Sequence, residues 1–292
     1  MFSMPPTLLA EVLIQGLLTG LVYGLMALGL SVIFGIVRVV NFAHGEFAVL
    51  AMYAAFVLFG LFGLDPLLAA LPLAAAFFAL GYLLQRAVVQ PFVSRPQHEQ
   101  FILLVGLALV LVNAMLIAFG PEARHVGIAW SYDSIALGPL FVDKTRAYAA
   151  LAALALAAAL FAFFRFTLTG AAIRACADNP TGAGVVGLDV RRLYAVSFGL
   201  GLGCVAAAGA IMTVLFDMNP ALGPSLTLLA FTIVIVGGLG SMLGALMGGL
   251  LIGVVEALAS VIVAPSIKSL VSFALLVLVL ALRPQGLFGR AA

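Results

Sequence analysis

The sequence predicts an all-α protein, a polytopic transmembrane helical bundle with about eight to nine spans, and two observations carry this prediction. First, hydrophobic residues make up 65% of the 292-residue chain and charged residues only 8%, whereas about a quarter of a typical soluble domain is charged. Second, long stretches contain no charged residue at all, and the mean hydropathy is +1.29. A chain of this kind is expected to be a membrane protein of one domain, residues 1–292.

The uncharged runs have the length of membrane-spanning helices rather than of barrel strands. Most hold about 20 residues, the length that crosses the bilayer as an α-helix, and none shows the alternating pattern of a transmembrane β-strand. The first run follows a segment without Lys or Arg, so we expect a retained span rather than a cleaved signal peptide. The runs are 12–37, 47–64, 66–85, 100–121, 147–164, 193–216, 218–255 and 269–282.

Several functional classes are excluded by what the sequence lacks. The net charge of +2 is spread without a basic cluster, which argues against a nucleic-acid partner. Cys176 and Cys204 are far apart and have no metal-ligand spacing, so neither a disulfide nor a metal site is expected. The motifs GxxxxGK, GxSxG and HExxH are all missing. The chain is therefore not predicted to be an enzyme or to need a cofactor.

The arginines predict the orientation, because cytoplasmic loops of membrane proteins are rich in Lys and Arg. Loops 86–99 and 165–192 are rich in arginine and separated by two spans, so both are predicted to be cytoplasmic. The arginine-free N-terminus and the 120–146 loop then lie outside. Arg283 and Arg290 fall in the cytoplasm if the 218–255 run crosses twice.

The 218–255 run must contain a break. As one helix, its 38 residues would extend about 57 Å, nearly twice the roughly 30 Å of the hydrocarbon core. The break is predicted at Gly237, Gly238, Gly240 and Ser241, because glycine is a poor helix former. Nine crossings result, or eight if one limb is re-entrant.

A similar pattern of helix, short break and helix occurs at residues 28–58 and 228–258. Broken helices in corresponding positions of two halves are typical of transporters with an inverted repeat and a pathway near the membrane midplane. The alternative is that any glycine-rich bundle produces two such places by chance. Two glycine stripes predict close helix packing. The first consists of Gly16, Gly20 and Gly24, and the second of Gly240, Gly244 and Gly248.

The first break contains the polar residues Asn41, His44 and Glu46. Polar groups at membrane depth are costly unless they line a cavity, meet water or pair with one another, so these three are candidates for the substrate pathway. The alternative is an ordinary cytoplasmic turn, in which Asn41 caps the following helix and Glu46 stabilises its first turn through the helix dipole.

The loop at about 165–192 carries a second candidate site. Asp178 and Asn179 precede Pro180, and Gly187 follows seven residues later, which predicts a short helix over 180–186. The apolar residues of that helix, among them Val185 and Val186, are too few to build a core. They are sufficient to bind in a groove of another protein. A solvated connector is the alternative.

Six stretches of the chain resemble the permease subunits of branched-chain amino acid ABC importers, of the kind called LivH. The resemblance covers nearly the whole chain, and its Asn-Phe-Ala-His-Gly-Glu stretch is the most specific to that family. The stretches are 16–30, Asn41-Phe42-Ala43-His44-Gly45-Glu46-Phe47, Arg174-Ala175-Cys176-Ala177-Asp178-Asn179-Pro180, Gly187-Leu188-Asp189-Val190, Asn219-Pro220, and Gly237-Gly238-Leu239-Gly240-Ser241 with Gly244, Gly248 and Gly249.

The resemblance implies a multi-pass subunit of the bacterial inner membrane that has no ATPase of its own. Its expected partners are a second, similar permease, two cytoplasmic ATP-binding subunits, a periplasmic binding protein that delivers leucine, isoleucine or valine, and membrane lipid. Arg174, Asp178 and the 180–186 helix would then form the loop that couples to the ATPases. Urea or short amides remain alternative substrates, and an ion-coupled secondary transporter remains an alternative class.

Overall fold

A computed structural model of the protein describes residues 5–128, 130, 133–262 and 268–289, and this part of the chain is helical except for one β-hairpin. The prediction of an all-α bundle is confirmed. The helices are α1 (Pro6–Val37), α2 (His44–Phe62), α3 (Pro66–Leu84), α4 (Gln97–Phe119), α5 (Lys144–Phe166), α6 (Leu168–Asp178), α7 (Pro180–Val185), α8 (Val190–Met212), α9 (Leu222–Gly237), α10 (Met242–Ile262) and α11 (Lys268–Leu282), and the strands are β1 (Ser134–Leu137) and β2 (Leu140–Asp143).

Seven helices in the described residues are long and apolar enough to cross a membrane: α1 to α5, α8 and α10. The third of them continues from α3 through a π-helical and a 3-10 turn to Phe92. Helices α9 and α11 are also apolar but have only 16 and 15 residues. A 16-residue helix rises about 24 Å, less than the hydrocarbon core. The protein is thus a multi-pass membrane protein, and its described residues contain seven helices of spanning length and two shorter apolar helices.

Helix α1 is the centre of the bundle and packs against α10, α8, α5 and α9. It runs antiparallel to α10, since Gly16 lies against Gly253 and Gly35 against Gly240. A Cβ added at Gly20 would lie 2.7 Å from the carbonyl oxygen of Gly249. The α1 stripe therefore packs on Gly249 and Gly253 of α10, whereas Gly244 and Gly248 of the second stripe pack on Gly237 and Ile233 of α9. Both stripes make close helix contacts, as the sequence predicts.

Contacts between distant segments define two ends of the bundle. At one end, which we call the α7 end, Arg38 donates to the carbonyl of Ala177, and Leu287 donates to the carbonyl of Val236. At the other, the hairpin end, Arg124 and Met218 exchange two backbone hydrogen bonds. All segments predicted to be cytoplasmic that the structure describes lie at the α7 end, while Arg290 lies outside the described residues.

The hairpin end contains the β-hairpin, which the sequence analysis treats only as part of the 120–146 loop. β1 and β2 pair antiparallel through a turn at Gly138, whose φ is +65°. Asp143 then caps α5 by accepting hydrogen bonds from the N–H groups of Thr145 and Arg146. The Glu11 carboxylate accepts a bond from the N–H of Phe141, which ties the hairpin to α1.

The predicted break in the 218–255 run is confirmed, because α9 ends at Gly237 and α10 begins at Met242. The first broken pair, α1 and α2, runs in the same sense as α9 and α10: in both, the first helix leads to the α7 end and the second leads away. These two pairs are consequently not related by inversion. An inverted repeat would have to relate other helices, and it remains a prediction.

Candidate functional site

The first break is a segment that turns back into the bundle rather than a turn at its surface. Helix α1 ends at Val37, where Arg38 adopts a left-handed conformation with φ of +59°. Residues 39–41 form no regular secondary structure, and α2 begins at His44. The imidazole of His44 contacts the carbonyl oxygen of Met26, eleven residues or about 17 Å before the end of α1. Helix α2 therefore starts deep inside the bundle.

Four buried polar side chains meet at this point, and we call them the α2 cluster: Asn41, His44, Glu46 and Thr227. The N–H of Gly45 donates to the Thr227 hydroxyl at 2.8 Å, and that hydroxyl donates to a carboxylate oxygen of Glu46 at 3.0 Å. The cluster thus joins α1, α2 and α9 through side chains that are at most 5% exposed.

Only a glycine fits at position 45. A Cβ there would lie 2.5 Å from the backbone nitrogen of Thr227 and would also overlap the carbonyl oxygen of Gly223. The start of α2 and the first turns of α9 are consequently in backbone contact. This close approach is what brings Thr227 within hydrogen-bonding distance of both Gly45 and Glu46.

The α2 cluster contains two polar atoms without a hydrogen-bond partner among the described residues: Nδ1 of His44 and Nδ2 of Asn41. Because a carbonyl oxygen only accepts, Nε2 of His44 carries the proton in its bond to Met26, at 3.0 Å. Nδ1 is then a free acceptor, while the Asn41 amide is a free donor. Buried polar atoms in proteins nearly always have partners, so these two atoms are candidates for contact with a polar ligand or with water.

The structure contradicts the alternative in which these residues form an ordinary cytoplasmic turn with Asn41 as the cap of α2. Asn41 does not cap α2, since its side-chain oxygen accepts from the N–H of Ala43, and Ala43 is the N-cap residue without a side-chain cap. The segment is also not a solvated turn, because Asn41 and His44 are fully buried. Glu46 does lie in the first turn of α2, where the helix dipole favours a negative charge.

The glycine break is closed by a late segment of the chain. Gly238 and Gly240 have φ of +110° and +77°, and Ser241 caps α10 by accepting from the N–H of Gly244. The last carbonyls of a helix lack partners within it. Here the N–H groups of Leu287 and Phe288 donate to the carbonyls of Val236 and Gly237.

The two predicted pathway segments do not form a single site. Thr227 of the α2 cluster and Gly237 of the glycine break are ten residues apart on α9, which corresponds to about 15 Å. The α2 cluster lies at half the depth of the bundle. The glycine break lies at the α7 end.

The short helix predicted over 180–186 is confirmed as α7. Asn179 is its N-cap residue and accepts from the N–H of Gly182, and Pro180 is the first helical residue. At its end, Gly187 has φ of +88°, and the N–H of Leu188 donates back to the carbonyl of Ala183 in a Schellman arrangement. Val185 and Val186 are 84% and 76% exposed.

Helix α6, which the sequence analysis leaves inside a loop, brings two predicted residues together with the glycine break. Arg174 and Asp178 line a cavity of about 520 Å³ together with Gly240 and Ser241. Ser31 of α1 lines the same cavity. We call this space the α6 cavity.

Thr227 and Ser31 are the polar residues that the sequence analysis misses. Both lie inside uncharged runs. A single Ser or Thr in such a run is usually a helix residue whose hydroxyl bonds to a carbonyl of its own helix, so the sequence alone does not mark it as part of a site. Their environment comes from segments distant in sequence, which no local pattern reveals. Within the described residues, no three His, Cys, Asp or Glu side chains are grouped as metal ligands.

The broken helices and the buried polar cluster define the class of the protein, a multi-pass membrane transport protein of the permease type. A family model described as "Branched-chain amino acid transport system / permease component" matches residues 12–280. The chain belongs to this family, and it is accordingly a non-catalytic transport subunit.

Relatives in three organisms match along almost their entire length. The high-affinity branched-chain amino acid transport system permease protein LivH of Salmonella typhimurium is 31% identical, and the match covers 94% of both chains. LivH of Escherichia coli is 30% identical with the same coverage. BraD of Pseudomonas aeruginosa, a permease protein of the same description, is 29% identical over 95% of both chains. No solved structure matches.

Proposed function

We propose that this chain is the permease subunit of an ATP-driven importer for leucine, isoleucine and valine in the bacterial inner membrane. A periplasmic binding protein delivers the amino acid at the hairpin end. A second, similar permease completes the pathway, and two cytoplasmic ATP-binding subunits bind at the α7 end. The relatives support the substrate class, because their names describe branched-chain amino acid transport.

The observation that carries this proposal is the surface of α7. Both ends of this short helix are capped, so it is fixed although it has only six residues. Two neighbouring valines at its end are largely exposed in the part of the chain that the structure describes. An apolar surface on a fixed helix is suited to a groove of a partner protein. The arginine-rich segments at this end give it the charge expected of a cytoplasmic face.

The α2 cluster is the proposed point of contact with the substrate along the pathway. A branched-chain amino acid carries one carboxylate, one ammonium group and an aliphatic side chain. The free donor of Asn41, the free acceptor of His44 and the carboxylate of Glu46 offer partners for both charged groups. Movement of α9 against α2 would open the cluster, because Thr227 and Gly223 cover it.

The test replaces both exposed valines, as Val185→Asp with Val186→Asp, in the transporter co-expressed with its partner subunits. Burial of a valine in an interface contributes about 1.5 kcal/mol, so the loss of two corresponds to roughly 100-fold weaker binding of the ATP-binding subunits. We expect those subunits to be lost on purification and uptake to stop. The measurements are co-purification and uptake of labelled leucine with added binding protein.

Leu282→Asp is the matched control, since Leu282 is 73% exposed at the same end but lies on α11. It should retain the ATP-binding subunits. Normal co-purification of the valine double variant would refute the assignment of α7. Competition by urea or acetamide, but not by isoleucine or valine, would refute the substrate class.

A further inference from the structure

We infer that the second permease subunit packs on helix α4, along one exposed stripe that we call the α4 face. This inference rests on the proposed function for the existence of that partner, and it names the surface that the partner occupies. The residues of the face are spaced four and three apart, which is the seam spacing of two helices that pack at a small angle. They are Ile102, Gly106, Leu109, Asn113 and Leu116.

The first observation is that α4 is the most exposed of the seven helices of spanning length in the described residues. Only 11% of its spanning window is buried, compared with 28% or more in the other six. Ile102 and Leu109 are 66% and 60% exposed. Lipid alone could cover such apolar side chains. The other two central residues of the face, Gly106 and Asn113, are poorly suited to lipid.

The second observation is an amide side chain exposed within the span. Asn113 lies on the exposed side of α4, six residues or about 9 Å before the end of the helix. Its Nδ2 donates to the carbonyl oxygen of Leu109 at 2.7 Å, and its Oδ1 has no partner among the described residues. Polar side chains within the membrane normally face the bundle interior, a cavity or another helix. The exposed amide therefore indicates a helix outside this chain.

The third observation is a glycine with open space beside it. Every glycine inside α1, α3, α8 and α10 would place an added Cβ at most 3.2 Å from another atom, so each of these glycines allows close packing within the chain. A Cβ at Gly106 would meet nothing within 4 Å among the described residues. Glycine is a poor helix former, and inside a membrane span it allows another backbone to approach closely. Here the approaching helix belongs to the partner.

The geometry of a permease pair favours the matching helix of the second subunit as the occupant. Two subunits with the same topology in one membrane are related by an axis along the membrane normal. Helices that meet at that axis run parallel, and each position faces its counterpart. An amide both donates and accepts, so Asn113 can bond to an amide or a hydroxyl at the matching position. The expected partner is a span with a small residue opposite Gly106 and a polar residue opposite Asn113.

A partner on the α4 face would lie next to the helix that carries the α2 cluster. Near the start of α4, Phe101 packs edge-on against Phe42, with ring centroids 4.6 Å apart, and Phe42 directly follows Asn41. Near the end of α4, Phe119 stacks on Tyr53 of α2, with ring centroids 4.2 Å apart. The second permease would thus be separated from the proposed substrate contact by one helix, which agrees with its role in completing the pathway.

The first experiment places the photoreactive residue benzoylphenylalanine at Val110 in the full transporter, co-expressed with its partner subunits. Val110 is 64% exposed beside the α4 face, and the matched control is Leu151, which is 61% exposed on α5. Both positions lie roughly 20 Å from the end of their helix that points to the α7 end. We expect position 110 to form an adduct with the second permease, identified by mass spectrometry of the crosslinked peptides, and position 151 to form none.

The second experiment measures how much of the second permease co-purifies with variants of the α4 face. Gly106→Leu should lose it, whereas Gly60→Leu should retain it, because Gly60 also has open space beside it but lies near the end of α2. Asn113→Leu should retain about five-fold less, which corresponds to one interhelical hydrogen bond of about 1 kcal/mol. The amount of each variant chain in the membrane should be unchanged, since neither Leu side chain replaces a packed residue.

Lipid rather than a subunit covers the α4 face if position 110 forms no adduct with the second permease, or if Gly106→Leu and Asn113→Leu both retain it normally. Either result would overturn the inference. An adduct between two copies of this chain would overturn it as well, because the occupant would then be a different molecule. Failure of the proposed function would instead appear as absence of leucine uptake by the unmodified complex, whatever adduct position 110 forms.

Discussion

Replacement of Thr227 by valine tests the idea that one hydroxyl holds the α2 cluster together. Valine has nearly the same shape as threonine but cannot hydrogen-bond. The hydroxyl accepts from the N–H of Gly45 and donates to Glu46, so both groups lose their partner in a buried place. Average hydrogen bonds within membrane proteins contribute about 0.6 kcal/mol each.

Thr227→Val should destabilise the protein by more than the loss of two average hydrogen bonds, because it leaves the buried N–H of Gly45 and the carboxylate of Glu46 unpaired. A buried donor or acceptor without a partner costs about 1 to 3 kcal/mol, and more when it is charged. For two such groups, we expect the free energy of unfolding to fall by roughly 2 to 3 kcal/mol. The added methyl group offsets less than about 0.8 kcal/mol of this loss.

The assay is unfolding of the purified protein by SDS in mixed micelles, followed by circular dichroism, for the unmodified protein, Thr227→Val and Thr227→Ser. Serine keeps the hydroxyl and loses only the methyl group, so it should lie within about 1 kcal/mol of the unmodified protein. Uptake should follow the same order. If Thr227→Val is as stable as Thr227→Ser, the hydroxyl does not hold the cluster and the reasoning is refuted.

Three further predictions follow from the same geometry. Glu46→Gln should lower the maximal uptake rate several-fold without changing the preference among leucine, isoleucine and valine, and normal rates for all three in competitive uptake would assign Glu46 a purely structural role. In a cysteine-free background, Asp133→Cys should react with an impermeant thiol reagent from the periplasm and Asp189→Cys only from the cytoplasm; the opposite labelling would invert the orientation. Changing Asn179 and Pro180 together to Gly removes the cap and the rigid first residue of α7, so uptake should be lost in a protein that still folds, and unchanged uptake with normal ATPase co-purification would contradict the role of this cap.

The sequence predicts the helices and both breaks because these depend on local chemistry. Uncharged runs define the spans, glycine defines the end of α9, and Asn179 with Pro180 defines the start of α7. The sequence does not predict how deep in the bundle a break lies. Nothing near His44 in the sequence indicates that it reaches Met26, because that contact depends on how far the segment after Arg38 turns back into the bundle.

The same limit applies to the groups that complete each site. Thr227 joins the α2 cluster across 181 residues of sequence. Ser31 and Arg174 line the same cavity, and Arg174 lies on α6, a helix that the sequence does not predict. Two of the predicted coupling residues, Arg174 and Asp178, share one cavity with half of the predicted glycine break, although the sequence analysis gives the two groups separate roles. Both groupings depend on helix packing, which is set by close approach at glycines throughout the bundle.

The antiparallel packing of α1 on α10 also determines the order in which the protein assembles during synthesis. Helix α1 enters the bilayer first, yet the main partner of its glycine face is translated only after eight other helices. Until then, Gly16, Gly20 and Gly24 face lipid or a temporary neighbour. The bundle therefore closes late, when α10 reaches α1 and the segment at Leu287 subsequently covers the end of α9. A ribosome that stalls before α10 would release a chain whose central helix has its partners α5, α8 and α9 but lacks the partner of its glycine face.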